Sequence, residues 1–178
     1  MEELKKLNID KSWTLFLDRD GVINKRLMGD YVKTLDELEI LAGVPEAIKV
    51  FQNLFGKIVV VTNQQGIGKG LMTANDLKVV HDEMNAQLSG AIEKFYFAPQ
   101  LATENHIDRK PGIGMGLQAK QDFPSIDFKK SLMIGDSESD IEFGMNLEMK
   151  TIMLKTDRNQ TSKADYIFEN LLDVSKSL

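Results

Sequence analysis

Short apolar runs bounded by turn residues alternate along this chain with helical patterns, and that alternation limits the possible folds more than any other feature. A run of four or five apolar residues makes a buried strand but is too short for a helix, and parallel neighbours need crossover helices to cover both sheet faces. Thr14 to Leu17 reads as a first strand, Pro45 to Phe55 as a helix with proline in its first turn, and Lys57 to Val61 as a second strand after Gly56. Thr73 to Leu88 is the next helix, opened by a capping threonine with Asp76 three residues on, and Met115 to Gln121 is a later one. Phe95 to Phe97, Leu132 to Ile134, Thr151 to Leu154 and Tyr166 to Phe168 complete the strands, and the tail from Asn159 to Ser162 reads as loop. The class that follows is α/β, a mostly parallel sheet with helices on both faces. No repeat or linker divides the series, so residues 1–178 are expected to form one domain, with 1–12 as an N-terminal extension.

Composition narrows the chemistry. The chain has no cysteine, which removes disulfides, Fe-S clusters and a cysteine nucleophile together. It carries 22 Lys+Arg against 27 Asp+Glu, a net charge of −5, so no nucleic-acid partner held by a basic field is expected. No apolar run approaches the roughly 18 residues of a membrane span, and the start lacks the uninterrupted apolar stretch of a signal peptide. The expected setting is cytoplasmic, without membrane contact.

Polar residues fall where the strands end. Asp18, Thr62 and Asp136 each follow such an end, the place where open parallel sheets bind ligands. Leu15-Phe16-Leu17-Asp18-Arg19-Asp20-Gly21 runs a strand into two carboxylates that a period of two points to one side. Their repulsion suggests a hard divalent cation, most simply Mg2+, while an Asx-type turn is the structural alternative. Thr62-Asn63-Gln64-Gln65-Gly66-Ile67-Gly68-Lys69-Gly70 offers a hydroxyl and then a glycine-rich loop, suited to phosphate oxygens or simply to a connection. In Arg109-Lys110-Pro111 the proline fixes the backbone and can aim Lys110 inward, although from these residues alone a solvated basic pair is the better reading. Met133-Ile134-Gly135-Asp136-Ser137-Glu138-Ser139-Asp140 repeats the strand-then-acid pattern, with Asp140 one helical turn beyond Asp136.

These four blocks, in this order from Leu15 to Ile141, resemble the four motifs of the haloacid dehalogenase (HAD) superfamily of phosphotransferases. The resemblance implies a single Rossmann-like domain and a phosphoric monoester hydrolase that works through an aspartyl-phosphate. It makes Asp18 the nucleophile and Asp20 the acid and base, with Thr62 and Lys110 holding the phosphoryl group. Mg2+ would be held by Asp18, Asp20 through its carbonyl, and Asp136, with Asp140 orienting Lys110 or a metal-bound water. A phospho-acceptor module or catalytically silent scaffold is disfavoured by the motif order, because Asp18 precedes Thr62 and every catalytic position is filled.

Within the superfamily, Asp18 to Asn24, Gly29-Asp30-Tyr31-Val32, Thr62-Asn63-Gln64 and Arg109-Lys110-Pro111 resemble the D-glycero-D-manno-heptose 1,7-bisphosphate and histidinol-phosphate phosphatase branch. The branch lacks a large cap domain, and about two dozen residues between the first motif and the Pro45 helix leave no room for one. Arg26, Tyr31, Asn63, Gln64 and Arg109 are the candidates for gripping a small phosphorylated metabolite, Arg109 foremost because its fork suits a second phosphate. A heptose 1,7-bisphosphate-like substrate is expected, with histidinol phosphate and a polynucleotide 3'-phosphate as alternatives, and the protein is expected to be a monomer or small homo-oligomer. Many members carry a zinc loop before the Arg-Lys-Pro triplet. Here Ala98, Gln100, His106 and Asp108 align with its ligands, and two of the four cannot bind metal, so no zinc is expected.

Overall fold

The computed structural model describes residues 2–156 and 163–178, so the stretch read as loop at Asn159 to Ser162 lies outside the described residues. In chain order the elements are α1 (Glu2–Lys5), β1 (Thr14–Leu17), α2 (Val44–Leu54), β2 (Lys57–Asn63), α3 (Gln65–Gly68), α4 (Ala74–Gln87) and β3 (Lys94–Ala98). They continue with α5 (Gly114–Asp122), β4 (Ser131–Gly135), α6 (Glu138–Asn146), β5 (Lys150–Leu154), β6 (Tyr166–Phe168) and α7 (Leu171–Ser177). The six strands form one sheet in the order β3-β2-β1-β4-β5-β6, every pairing parallel. Strand order reverses between β1 and β4, which leaves a crevice at their carboxyl ends.

Alternate residues of the central strands feed two separate cores, as the period of two requires. Leu15, Leu17, Val60 and Ile134 pack with Ile48 and Phe51 of α2 and Val174 of α7 on one face. Phe16, Val59, Val61 and Met133 pack with Met115 of α5 and Phe143 of α6 on the other. Because both faces are covered, the strands read as unbroken apolar runs. Leu4, within the N-terminal extension, joins the first core at 1% exposure.

Three local differences from the sequence pattern matter for the site. β2 runs to Asn63, two residues beyond the apolar run, because Thr62 and Asn63 pair in register with Phe97 and Ala98 of β3. The glycine-rich stretch forms a single helical turn, α3, and not an open loop. In the helix read over Thr73 to Leu88, Val79 and Val80 both look core-directed by sequence, but Val79 is 46% exposed while Val80 and His81 are buried. Thr73 does cap α4, its hydroxyl accepting from the Asp76 amide. Between β1 and α2 the chain makes turns and one 3-10 turn at Leu35–Glu37, so nothing of the size of a cap domain is inserted there.

Candidate active site

The carboxyl ends of β1, β2 and β4 bring Asp18, Thr62 and Asp136 to one edge. Asp18 continues the sheet, its amide donating to the Ile134 carbonyl at 3.0 Å, which fixes its backbone. Oxygens of Asp18, Asp136 and Asp140 lie within 4.8 Å of one another, and all three residues are buried. Asp140 sits in the first turn of α6 and serves two purposes there. Its Oδ2 accepts from the Ser137 amide at 3.0 Å, closing the helix N-terminus, while Oδ1 lies 2.6 Å from Lys110 Nζ.

Lys110 is 4% exposed; its Nζ donates to Asp18 Oδ1 at 2.8 Å and to the Val61 carbonyl at 2.6 Å, and forms an ion pair with Asp140 Oδ1 at 2.6 Å. Burial works against its charge, but the two carboxylates outweigh burial and hold its proton more tightly than usual. Asn63 clamps the lysine backbone from both sides, accepting from the Lys110 amide at 2.9 Å and donating to its carbonyl at 3.1 Å. Burial, with the nearby Asp140 charge, pushes the Asp18 carboxyl up to about 7 against the pull of Lys110.

Asp20 lines the same cavity as Asp18, Lys110 and Asp140. Its carboxylate accepts from Arg19 Nη2 at 2.9 and 3.0 Å, Asn24 Nδ2 at 3.0 Å and Gln64 Nε2 at 2.7 Å. Burial would raise its proton affinity, but the guanidinium and the amide donors prevail and hold Asp20 below the ordinary carboxylate range. Gln64 also donates to Thr62 Oγ1 at 2.9 Å and is fully buried. It therefore links two site residues from beneath.

Arg26 occupies an unexpected place. Its Nη2 donates to Asp136 Oδ1 at 2.6 Å and to the Asp20 carbonyl at 2.8 Å, and lies 3.7 Å from Asp18 Oδ2. Its guanidinium thus sits on the oxygens expected to hold a metal. Asp18, Asp20, Arg26, Tyr31, Thr62, Asn63, Arg109, Lys110 and Asp140 all line one cavity of about 430 Å³. Gln64 is absent from its lining. Arg109 donates from Nη1 to the Gln100 carbonyl at 3.1 Å, and Lys69, which the motifs did not single out, donates to the Tyr31 hydroxyl at 3.1 Å on the cavity wall. Arg19 and Asn24 were also missed as Asp20 partners. Strand alternation would aim Arg19 away from its acidic neighbours, but β1 ends at Leu17 and Arg19 Nη2 reaches Asp20. Among the four positions that align with a zinc loop, His106 and Asp108 approach each other at 3.6 Å and Ala98 is buried in β3.

Strand order, crevice and convergent acid-lysine cluster are together those of a phosphatase of the haloacid dehalogenase class. Residues 107–174 match the HAD-hydrolase-like family. A D-glycero-alpha-D-manno-heptose-1,7-bisphosphate 7-phosphatase of Mycobacterium bovis is 41% identical over 76% of this chain and 73% of its own length. The Campylobacter jejuni enzyme of the same name is 34% identical over 92% of this chain and 94% of its own. The crystal structure of a D,D-heptose 1,7-bisphosphate phosphatase from B. bronchiseptica, complexed with magnesium and phosphate, superposes with a TM-score of 0.82 at 24% identity, covering 92% of this chain and 96% of that one. The chain belongs to the heptose-1,7-bisphosphate phosphatase family of the haloacid dehalogenase superfamily, and it is a phosphoric monoester hydrolase. Among the described residues no helix is long and apolar enough to cross a membrane.

Proposed function

We propose that this protein removes one phosphate from a heptose 1,7-bisphosphate-like sugar through an aspartyl-phosphate on Asp18. The observation that carries the reading is the buried contact of Lys110 with both Asp18 and Asp140 at the cavity floor. An anionic nucleophile meets an anionic phosphate only where positive charge is fixed in advance, and a lysine held by two carboxylates and a carbonyl is so fixed. Asp18 attacks phosphorus, forming the Asp18 oxygen-phosphorus bond as the ester bond breaks. In the free site Asp20 is held as a carboxylate; the negative charge of the entering phosphate favours its protonated form, from which it gives a proton to the departing alcohol oxygen, and it takes one from the water that later attacks the aspartyl-phosphate. Lys110 Nζ and the Thr62 hydroxyl, whose oxygen already accepts from Gln64, hold the phosphoryl oxygens.

The donor set suits Mg2+. Carboxylates of Asp18, Asp136 and Asp140 and the Asp20 carbonyl are hard oxygen ligands, and the Arg26 guanidinium lying on three of these residues supports reading the spot as a seat for positive charge. When bound, Mg2+ supplies charge neutralisation for the phosphoryl group and the nucleophile. Arg109 and Lys69 line the cavity and would grip the second phosphate, and about 430 Å³ accommodates a sugar bisphosphate. The compartment is taken to be cytoplasmic, where such a substrate would be met.

Relative kcat/KM on heptose 1,7-bisphosphate, histidinol phosphate, other sugar monophosphates and a 3'-phosphorylated oligonucleotide tests this. The bisphosphate is expected to lead by at least about tenfold, and Asp18→Asn to abolish turnover on all of them. Comparable low values across the panel would defeat the substrate assignment, and retained turnover in Asp18→Asn would defeat the nucleophile.

A further inference from the structure

The Asp18-Arg19-Asp20 segment carries a third charge that the phosphoryl-transfer chemistry leaves unused. Arg19 is the bulkiest of the fully buried side chains, at 0% exposure. A guanidinium taken out of water is costly unless its donors are met, and replacing buried ion pairs with apolar groups is often neutral or stabilising. Stability therefore gives little reason for an arginine here, and its contacts suggest another.

Nη2 is committed to both oxygens of Asp20, at 2.9 and 3.0 Å. Nη1 stands 3.3 Å from His81 Nε2 in α4. The His81 ring is 5% exposed and lies flat against Phe95 of β3, with centroids 4.3 Å apart and planes 17° from parallel. Burial and the adjacent guanidinium lower the His81 proton affinity to about 3, so the ring is neutral. Facing an N-H donor, Nε2 accepts, which assigns the ring proton to Nδ1. The contacts form a chain from a strand, through a stacked imidazole and a buried guanidinium, to the carboxylate of Asp20.

We propose that Arg19 and His81 are a buried positioning pair for Asp20, with Arg19 fixing the carboxylate at the cavity and His81 acting only through Arg19. Asn24 and Gln64 also hold Asp20, but each donates to one oxygen. Arg19 is the partner that engages both, and a carboxylate gripped at both oxygens loses its freedom to rotate away from the ester. The stack on Phe95 fixes the plane of His81, so the acceptor meeting Nη1 is itself rigid. The sequence hides this because Arg19 and His81 are 62 positions apart and neither type is unusual where it stands.

The inference rests on the reading of Asp20 as the acid, and the test separates the two. An alkyl phosphate needs its leaving oxygen protonated, whereas p-nitrophenyl phosphate has a leaving group stable without a proton. For an enzyme with a covalent intermediate, kcat/KM covers only the steps through ester cleavage, so the ratio of the two kcat/KM values reports proton delivery. His81→Phe keeps the stack on Phe95 and deletes the acceptor, while His81→Gln keeps an acceptor. Asp20→Asn is expected to lower kcat/KM about a hundredfold or more on the alkyl phosphate and far less on the aryl phosphate. His81→Phe is expected to show the same selectivity at about tenfold on the alkyl ester, with Arg19→Met deeper and His81→Gln restoring most of the loss. Equal losses on both esters in His81→Phe and Arg19→Met, with Asp20→Asn still selective, would overturn the positioning role while leaving the acid in place. Equal losses in Asp20→Asn would remove the acid assignment, and this inference with it.

Discussion

Arg26 and the acidic oxygens it contacts set up a competition within single residues. Its guanidinium lies against Asp136, the Asp20 carbonyl and Asp18, so a divalent cation entering that set must displace it. Removing the guanidinium removes both the contact to be broken and a like charge beside the incoming ion. Arg26→Met is therefore expected to tighten Mg2+ binding about tenfold, or about 1.4 kcal/mol, in a calorimetric titration of the metal-free protein. Unchanged or weaker binding would show that the guanidinium does not contend for those oxygens. Its type and its place after the first motif made Arg26 a candidate for substrate contact, but the direction of so long a side chain is a tertiary matter. Gln64 differs in the opposite sense. A polar residue just past a strand reads as ligand-facing, yet the pairing of Asn63 with Ala98 extends β2 and leaves Gln64 buried beneath Asp20 and Thr62.

Elements deliver the acids through their ends. The turn after β1 depends on Gly21, whose φ of +91° is a conformation L side chains rarely adopt. A Cβ there would also stand 2.2 Å from Asp136 Oδ2, so the glycine permits the close approach of β1's turn to β4's acid. Gly21→Ala is expected to lower kcat/KM at least about tenfold and to weaken Mg2+ binding, while far-ultraviolet circular dichroism remains that of the wild type. Normal metal binding in that variant would mean the turn can shift without disturbing Asp136. The start of α6 shows why two acids in one motif are more than a cap: Ser137 and Asp140 close the helix, and the second oxygen of Asp140 remains for Lys110. The strands and the longer helices were legible because apolar period and capping residues act locally. The single turn of α3 was not, because its glycines weigh against helix and only the surrounding packing orders them.

For the whole molecule, the buried acids of the site are a cost to stability that a bound cation would relieve. With Asp18 raised from 3.8 to about 7, the metal-free folded state binds a proton between those values that the unfolded chain has released. Folded stability therefore falls as pH rises from about 4 to about 7, by an amount on the order of a few kcal/mol. Two thermal-melting results are expected: Asp18→Asn melts higher than wild type in metal-free buffer at pH 8, and Mg2+ raises the wild-type midpoint more at pH 8 than at pH 5.5. Equal midpoints for the two proteins at pH 8 would mean that Asp18 is not strained by its neighbours. The sequence by itself determined the α/β class, the chain order of the four motifs and the residue types at the sheet edge, because strand period, turn chemistry and charge are written in neighbouring positions. Only the tertiary structure decided that Arg26 lies on the acidic oxygens, that Gln64 is buried and that Arg19 reaches Asp20 with His81 behind it. The contacts of Arg26 with Asp136, Gln64 with Asp20 and Arg19 with His81 join residues far apart along the chain through long flexible side chains, whose direction is fixed by packing and by the need to pair buried charge.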